Sequence, residues 1–187
     1  MFTFVARYAL RTGTVLALAC ILALPVSRAA AGGPAPSSGS NAFSPPTMAQ
    51  IRAVMARTVE VQNPSESFVP EGKPVTISDG RGTGTITAVV GRRNPTADGL
   101  GQLVFFFHNA TFVSWDTNVE SEQIQGIQAR APGMFAVTYT HYGPKDPTCC
   151  PTLKPVTITY SWSSSDIFIS PAIPPKFKGA LKVRLKG

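Results

Sequence analysis

The chain has 187 residues, 17 basic and 10 acidic, for a formal net charge of +7; hydrophobic residues make up 43% and charged residues 14%. That composition supplies an apolar core with few surface charges. It excludes a coiled coil, a collagen, a polytopic membrane protein and a disordered polyanion. Taken whole, the charge invites nucleic acid or an anionic surface, but its distribution along the chain argues otherwise.

Residues 1–13 carry Arg7 and Arg11 and no acid; residues 14–26 (TVLALACILALPV) are apolar, and small residues follow to Gly32. A positive start, a short apolar stretch and a small-residue end describe a secretory signal peptide. The apolar run is shorter than the roughly 20 residues a spanning helix needs. Cleavage is expected after Ala31, with Ala29 and Ala31 in the small-residue positions. Cys20 offers a second route, the lipidated cysteine of a bacterial lipoprotein. It follows Ala17-Leu18-Ala19 and the apolar run continues past it, which suits a cysteine acting as a small hydrophobe. Loss of residues 1–31 removes Arg7, Arg11 and Arg28 and leaves a net +4. Lys176, Lys178, Lys182, Arg184 and Lys186 then hold five of the remaining positive charges, and residues 32–175 are net −1. The basic character belongs to the address and the tail. The expected location is secreted or periplasmic, in the cell envelope, and no nucleic-acid partner is expected.

Residues 32–47 (GGPAPSSGSNAFSPPT) read as a flexible tether, and residues 48–187 as a single α+β domain. Residues 48–60 are predicted to be an amphipathic helix. Thr47 and Gln50 fit a capping box, and Ile51, Val54, Met55, Thr58 and Val59 form one stripe. The period then changes to two. Strands are predicted at 75–77, 83–90, 102–108, 111–117, 134–142 and 156–162. The tail adds one in which Leu181, Val183 and Leu185 alternate with Lys182, Arg184 and Lys186. The run 102–108 (QLVFFFH) suits a strand covered on both faces, and Asn109-Ala110 a two-residue hairpin turn. The polar stretch 118–131 is ambiguous. The fold class is α+β: an antiparallel sheet of five to seven strands packed against one amphipathic N-terminal helix. The tail reads as an edge strand with a solvated lysine face. Membrane contact, by lipidation at Cys20 or through that basic tail, is the competing reading.

Residues 143–155 (GPKDPTCCPTLKP) join two strongly patterned strands. Connections of this length without structure are often functional, and Pro144, Pro147, Pro151 and Pro155 stiffen this one. Cys149 and Cys150 are adjacent and are the only cysteines left after signal cleavage. An oxidising compartment favours a disulfide, which within one chain can only be the 149–150 bond. Long-range partners in a dimer, free thiols and metal ligation are the alternatives. A 149–150 bond closes almost no chain, so its entropic contribution is small. Its role would be to fix a tight turn or to act as a redox latch. The interaction-loop candidates are Tyr142, Lys145, Asp146, Pro147, Cys149, Cys150 and Pro151.

Three strings carry a family resemblance: Val104-Phe105-Phe106-Phe107-His108-Asn109, then Phe112-Val113-Ser114-Trp115-Asp116, then Asp146-Pro147-Thr148-Cys149-Cys150-Pro151 running on to Tyr160-Ser161-Trp162. Together they resemble the LppP/LprE lipoprotein family over roughly residues 80–165. The resemblance implies an exported envelope protein with no established activity. The chain departs from the pattern in its weak lipidation signal at Cys20 and in Ala110, where such hairpins often carry glycine.

Chemistry is sparse. His108 and His141 sit in no metal-protease motif, and no C-x-x-C or G-x-S-x-G occurs. A nucleophilic pair of Cys149 or Cys150 with His141 is conceivable, although a 149–150 disulfide abolishes it. The glycine-rich residues 79–84 lack the Lys-Ser/Thr of a phosphate loop. No catalytic residue, metal or cofactor is expected. The reading is a non-enzymatic interaction module that presents the 143–155 loop to an envelope protein or a small ligand. The alternative is a thiol-dependent hydrolase or redox protein using Cys149 or Cys150.

Overall fold

The structure is a computed structural model that describes residues 43–96, 101–147, 149–164, 166–170 and 182–186. The signal peptide with Ala31 and Cys20, most of the tether, and Thr148, Lys176, Lys178 and Leu181 lie outside the described residues.

Helix α1 (Met48–Arg57) opens on the expected capping box. Gln50 N donates to Thr47 Oγ1 (3.3 Å), and Thr47 N donates back to Gln50 Oε1 (2.8 Å), so two orphan amides are satisfied reciprocally. Ile51 and Met55 are fully buried. The helix stops three residues earlier than the stripe suggested. Thr58 turns extended (φ −83, ψ 116), and Thr58–Glu60 become β1. Thr58 and Val59 are β-branched and suit a strand as well as a helix. They are buried either way, so the stripe alone did not separate the two.

The strands that follow are β2 (Ser67–Ser78), β3 (Thr85–Asn94), β4 (Gln102–His108), β5 (Thr111–Trp115), β6 (Ile124–Ala131), β7 (Met134–His141), β8 (Leu153–Ser163), β9 (Asp166–Ser170) and β10 (Val183–Leu185). They form two antiparallel sheets, ordered β10-β1-β2-β3-β4-β5 and β6-β7-β8-β9. The expected single sheet of five to seven strands is therefore, among the described residues, ten strands in two sheets. β1, read as the end of the helix, β6 and β9 account for the difference, and β2 extends well beyond the expected 75–77. Pro70, Gly72 and Pro74 interrupt the pattern of β2, which bulges between Glu71 and Val75. The polar run of β6 gains its strand form from pairing with β7. β9 is short and continues the hairpin from β8.

β4 is covered on both faces, as its sequence predicts. Leu103, Phe105 and Phe107 pack with Ile51, Met55 and Phe68 under the helix. Val104 and Phe106 pack with Phe135, Val137, Ile158 and Tyr160 of the second sheet. The layers are thus helix, six-stranded sheet and four-stranded sheet. Gly91 on β3 admits the helix-side packing: a Cβ there would stand 2.5 Å from the Phe105 ring and 3.0 Å from Met55 Cε. His108 and Thr111 pair across the two-residue turn, where Asn109 takes φ 51 and its Oδ1 accepts Thr85 N (3.0 Å). The tail strand lies at the end of its sheet, as expected, with Val183 buried. Leu185, however, is 40% exposed instead of facing inward.

Candidate functional site: the loop between strands 7 and 8

The hairpin β7–β8 carries the 143–155 segment; residues 153–155, expected in the loop, are already the start of β8, so the connection itself is 142–152, and one carboxylate organises it. Asp146 Oδ2 accepts the amides of Gly143 (2.6 Å) and Thr152 (2.7 Å), and the Thr152 hydroxyl donates to Oδ1 (2.9 Å). Asp146 N donates to Gly143 O (3.1 Å), and Cys150 N to Pro147 O (3.0 Å). An aspartate that caps local amides makes a turn without any regular ladder. The Thr152 and Gly143 amides hold its carboxyl below the usual carboxylate range. Thr152 was not among the candidates named from sequence. The available signal was an aspartate followed at short range by a hydroxyl residue within a proline-rich loop.

Cys149 and Cys150 form a disulfide across adjacent residues, with Cα atoms 3.8 Å apart. Both are exposed, as are Lys145, Pro147 and Pro151, while Tyr142 and Asp146 are half-buried. The seven candidates therefore divide. Lys145, Pro147, Cys149, Cys150 and Pro151 form an exposed crest, and Tyr142 and Asp146 hold it from below. Burial pushes the Tyr142 phenol up to about 12, together with the charge of Glu122, to which it is hydrogen-bonded. Glu122 is itself buried, in the segment Glu120-Ser121-Glu122. That segment is held by Ser121, which exchanges two backbone hydrogen bonds with Gln102 (2.7 Å each), and by Glu120, which accepts from Arg93 Nε (3.1 Å). The crest is thus seated on the polar junction between the sheets. In the disulfide form neither sulfur is a nucleophile, and His141 pairs in register with Leu153 at the foot of the loop.

A second polar cluster escaped the sequence reading. Buried Asp79 accepts the amides of Arg81 (2.9 Å) and Gly82 (3.0 Å) and the Thr83 hydroxyl. His108 Nε2 lies 3.3 Å from its Oδ2 and the His108 ring stacks on Trp162, centroids 4.8 Å apart. Burial opposes ionisation of Asp79, but the bonds from Thr83, Arg81 and His108 outweigh it and lower the carboxyl to about 2. The glycine-rich stretch is therefore an aspartate-centred turn between β2 and β3. Between the sheets, Tyr139 donates to Asp116 (2.8 Å) and shares a hydrogen bond with Tyr160 (2.5 Å). Among the described residues no group of three or more His, Cys, Asp or Glu is placed to hold a metal ion.

The fold and the site define a two-sheet antiparallel β-protein with a long hairpin loop that is closed by a carboxylate and carries a vicinal disulfide. Over residues 82–165 the chain matches the family model of the LppP/LprE lipoproteins. The span runs from the Asp79 turn to the end of β8 and includes the whole loop. No curated protein and no solved structure matches the chain.

Proposed function

We propose that the chain is an exported cell-envelope protein, without enzymatic activity, that binds a partner through the crest of the 143–155 loop. The observation that carries this reading is the construction of the loop. Exposed Lys145, Pro147, Cys149, Cys150 and Pro151 are held in one shape by the Asp146 bonds, the prolines and the disulfide. A preformed loop loses little ordering entropy on association. The lipoprotein family supports the envelope location, as does the signal peptide read in residues 1–31. The partner is an envelope protein or a small ligand that recognises a rigid, weakly cationic surface.

A photoreactive residue placed at Lys145 or at Pro151, in cells producing the full chain, tests the reading. The expected result is one discrete adduct from either position that disappears when Asp146→Ala loosens the loop. Equal adducts from a probe at Arg130, on the distant end of β6, would overturn it. Fractionation of the same cells should place the chain outside the cytoplasm.

A further inference from the structure

Four cations gather where the two ends of the folded body meet. Lys186 N donates to the Arg57 carbonyl (2.6 Å), and the Arg57 guanidinium donates back to the Lys186 carbonyl (3.4 and 3.3 Å). Along β10 and its flanks, Lys182, Arg184 and Lys186 occupy alternate positions and share a face. All four residues are exposed. Among the described residues none of them has a carboxylate partner: the ion pairs join Arg92 to Glu71, Arg93 to Glu66 and Glu120, and His108 to Asp79. The acid in register with this strand, Glu60, stands opposite Val183 and accepts the amides of Gln62 and Asn63.

Two apolar side chains stand out of the surface at this edge, Leu185 on the face of β10 opposite the cations and Val61 beside Lys182. Leu185 is 40% exposed, and Val61, whose amide donates to Lys182 O (2.8 Å), is 44% exposed. A lysine or two suffices to discourage edge pairing. Unpaired cations brought together from both ends of the fold, beside exposed Val61, exceed that need. Long basic side chains beside an apolar one suit a fluid interface, where the charged heads reach phosphates while the stems stay apolar.

We propose that this rim docks on an anionic phospholipid bilayer. Arg57, Lys182, Arg184 and Lys186 lie over the headgroup phosphates, and Val61, whose amide bonds Lys182 O, meets the headgroup–acyl boundary. The warrant is charge complementarity: a positive rim on a body whose residues 32–175, with Arg57 set aside, are net −2. The rim orients the molecule on the membrane independently of any lipid at Cys20 and of any partner at the 143–155 loop.

Flotation of the full chain tests this, with vesicles of equal parts phosphatidylcholine and phosphatidylglycerol set against pure phosphatidylcholine. The apolar residues 14–26 are common to every variant, so the anionic-minus-neutral difference reads the rim. Wild type should partition more strongly onto the anionic vesicles. K182Q/R184Q/K186Q should reduce that partitioning by on the order of 100-fold, at about fivefold per cation, and leave neutral vesicles unaffected. K73Q/R81Q/K154Q, which removes the same charge elsewhere, should reduce it less than about fivefold. R184Q alone, where no bond is lost, should give about fivefold if the triple variant fails to fold. The proposal is overturned by equal partitioning on both vesicles, by a triple variant that floats like wild type, or by an equal loss in the control. It is also overturned if the triple variant loses heparin retention yet floats unchanged, since the rim would then serve a soluble polyanion.

Discussion

Asp146 and Thr152 are joined through both donors of the threonine: its amide and its hydroxyl each bond the same carboxylate, at 2.7 Å and 2.9 Å. This closes the loop over its tip without help from the strands below. Asp146→Ala should therefore raise amide hydrogen exchange at Gly143 and Thr152 by at least about tenfold while β7 and β8 keep their protection. Since the Thr152 and Gly143 amides lower the Asp146 pKa, the clamp is complete above the ordinary carboxylate range. It is lost as pH falls through the depressed value. Acidification of wild type should reproduce the exchange pattern of the variant, and unchanged Thr152 exchange in Asp146→Ala would show that the prolines alone hold the loop.

The vicinal disulfide should add little global stability, because a sequence separation of one encloses almost no chain. C149S/C150S is expected to melt within about 2 °C of wild type. A drop several times larger, read by circular dichroism, would mean that the loop is coupled to the sheets through the sulfurs.

Asp79 gives a pH dependence with a definite sign. Its carboxyl is lowered to about 2 in the fold, against about 3.9 in an unfolded chain. The stability it confers is present above the unfolded value and is lost as pH falls through about 4 to 2. Asp79→Asn should melt below wild type at neutral pH, and the gap should close across that window. A gap that is constant with pH would assign the loss to shape and not to charge.

Two substitutions separate the layers of the core. Phe106→Ala empties a fully buried site between the sheets and should cost about 3–5 kcal/mol in urea denaturation. Gly91→Ala forces a methyl against Phe105 and Met55 and should cost about 1–3 kcal/mol by overpacking under the helix. A neutral Gly91→Ala would show that α1 can lift away from β3 without loss.

The phenols report burial directly. Tyr142 should titrate near 12, held up by burial first and by Glu122 second, and Glu122→Gln should bring it part of the way back. Tyr139 and Tyr160 are raised further, mainly by burial with the Asp116 charge added. They should ionise only as the fold is lost, which absorbance near 295 nm would register as a cooperative step.

The sequence was most readable where periodicity and burial coincide. Phe105 and Phe106 point to opposite faces of β4, and an unbroken apolar run already says as much. The capping pair Thr47 and Gln50 marked the helix start to the residue. Its end was obscured because Thr58 and Val59 are buried in either conformation. β6 was obscured because its alternation, Ile127, Ala129 and Ala131 against Gln128 and Arg130, rests mostly on small residues and breaks at Gly126, where the pairing with β7 shifts register. In the loop, the crest residues could be named from proline spacing and the paired cysteines. The dependence on Thr152 and Glu122 could not, since one is a hydroxyl among many and the other lies twenty residues upstream of Tyr142 in a stretch without a pattern. Likewise Asp79 sits beside glycines that suggest only a turn, and nothing local announces His108 and Trp162 as its neighbours.

The pairing of β1 with β10 joins residue 59 to residue 184. A chain that emerges from its N-terminal end can assemble β2 through β9 from hairpins and near neighbours as each appears. Strand β1, however, remains bare along one side until residues 183–185 arrive. The contact of longest sequence separation is then made last, since its loop-closure cost is repaid only by a short strand. The cationic rim exists only after that step. Its appearance marks a closed β1–β10 pair, and any surface that selects the rim selects chains in which that pair has formed.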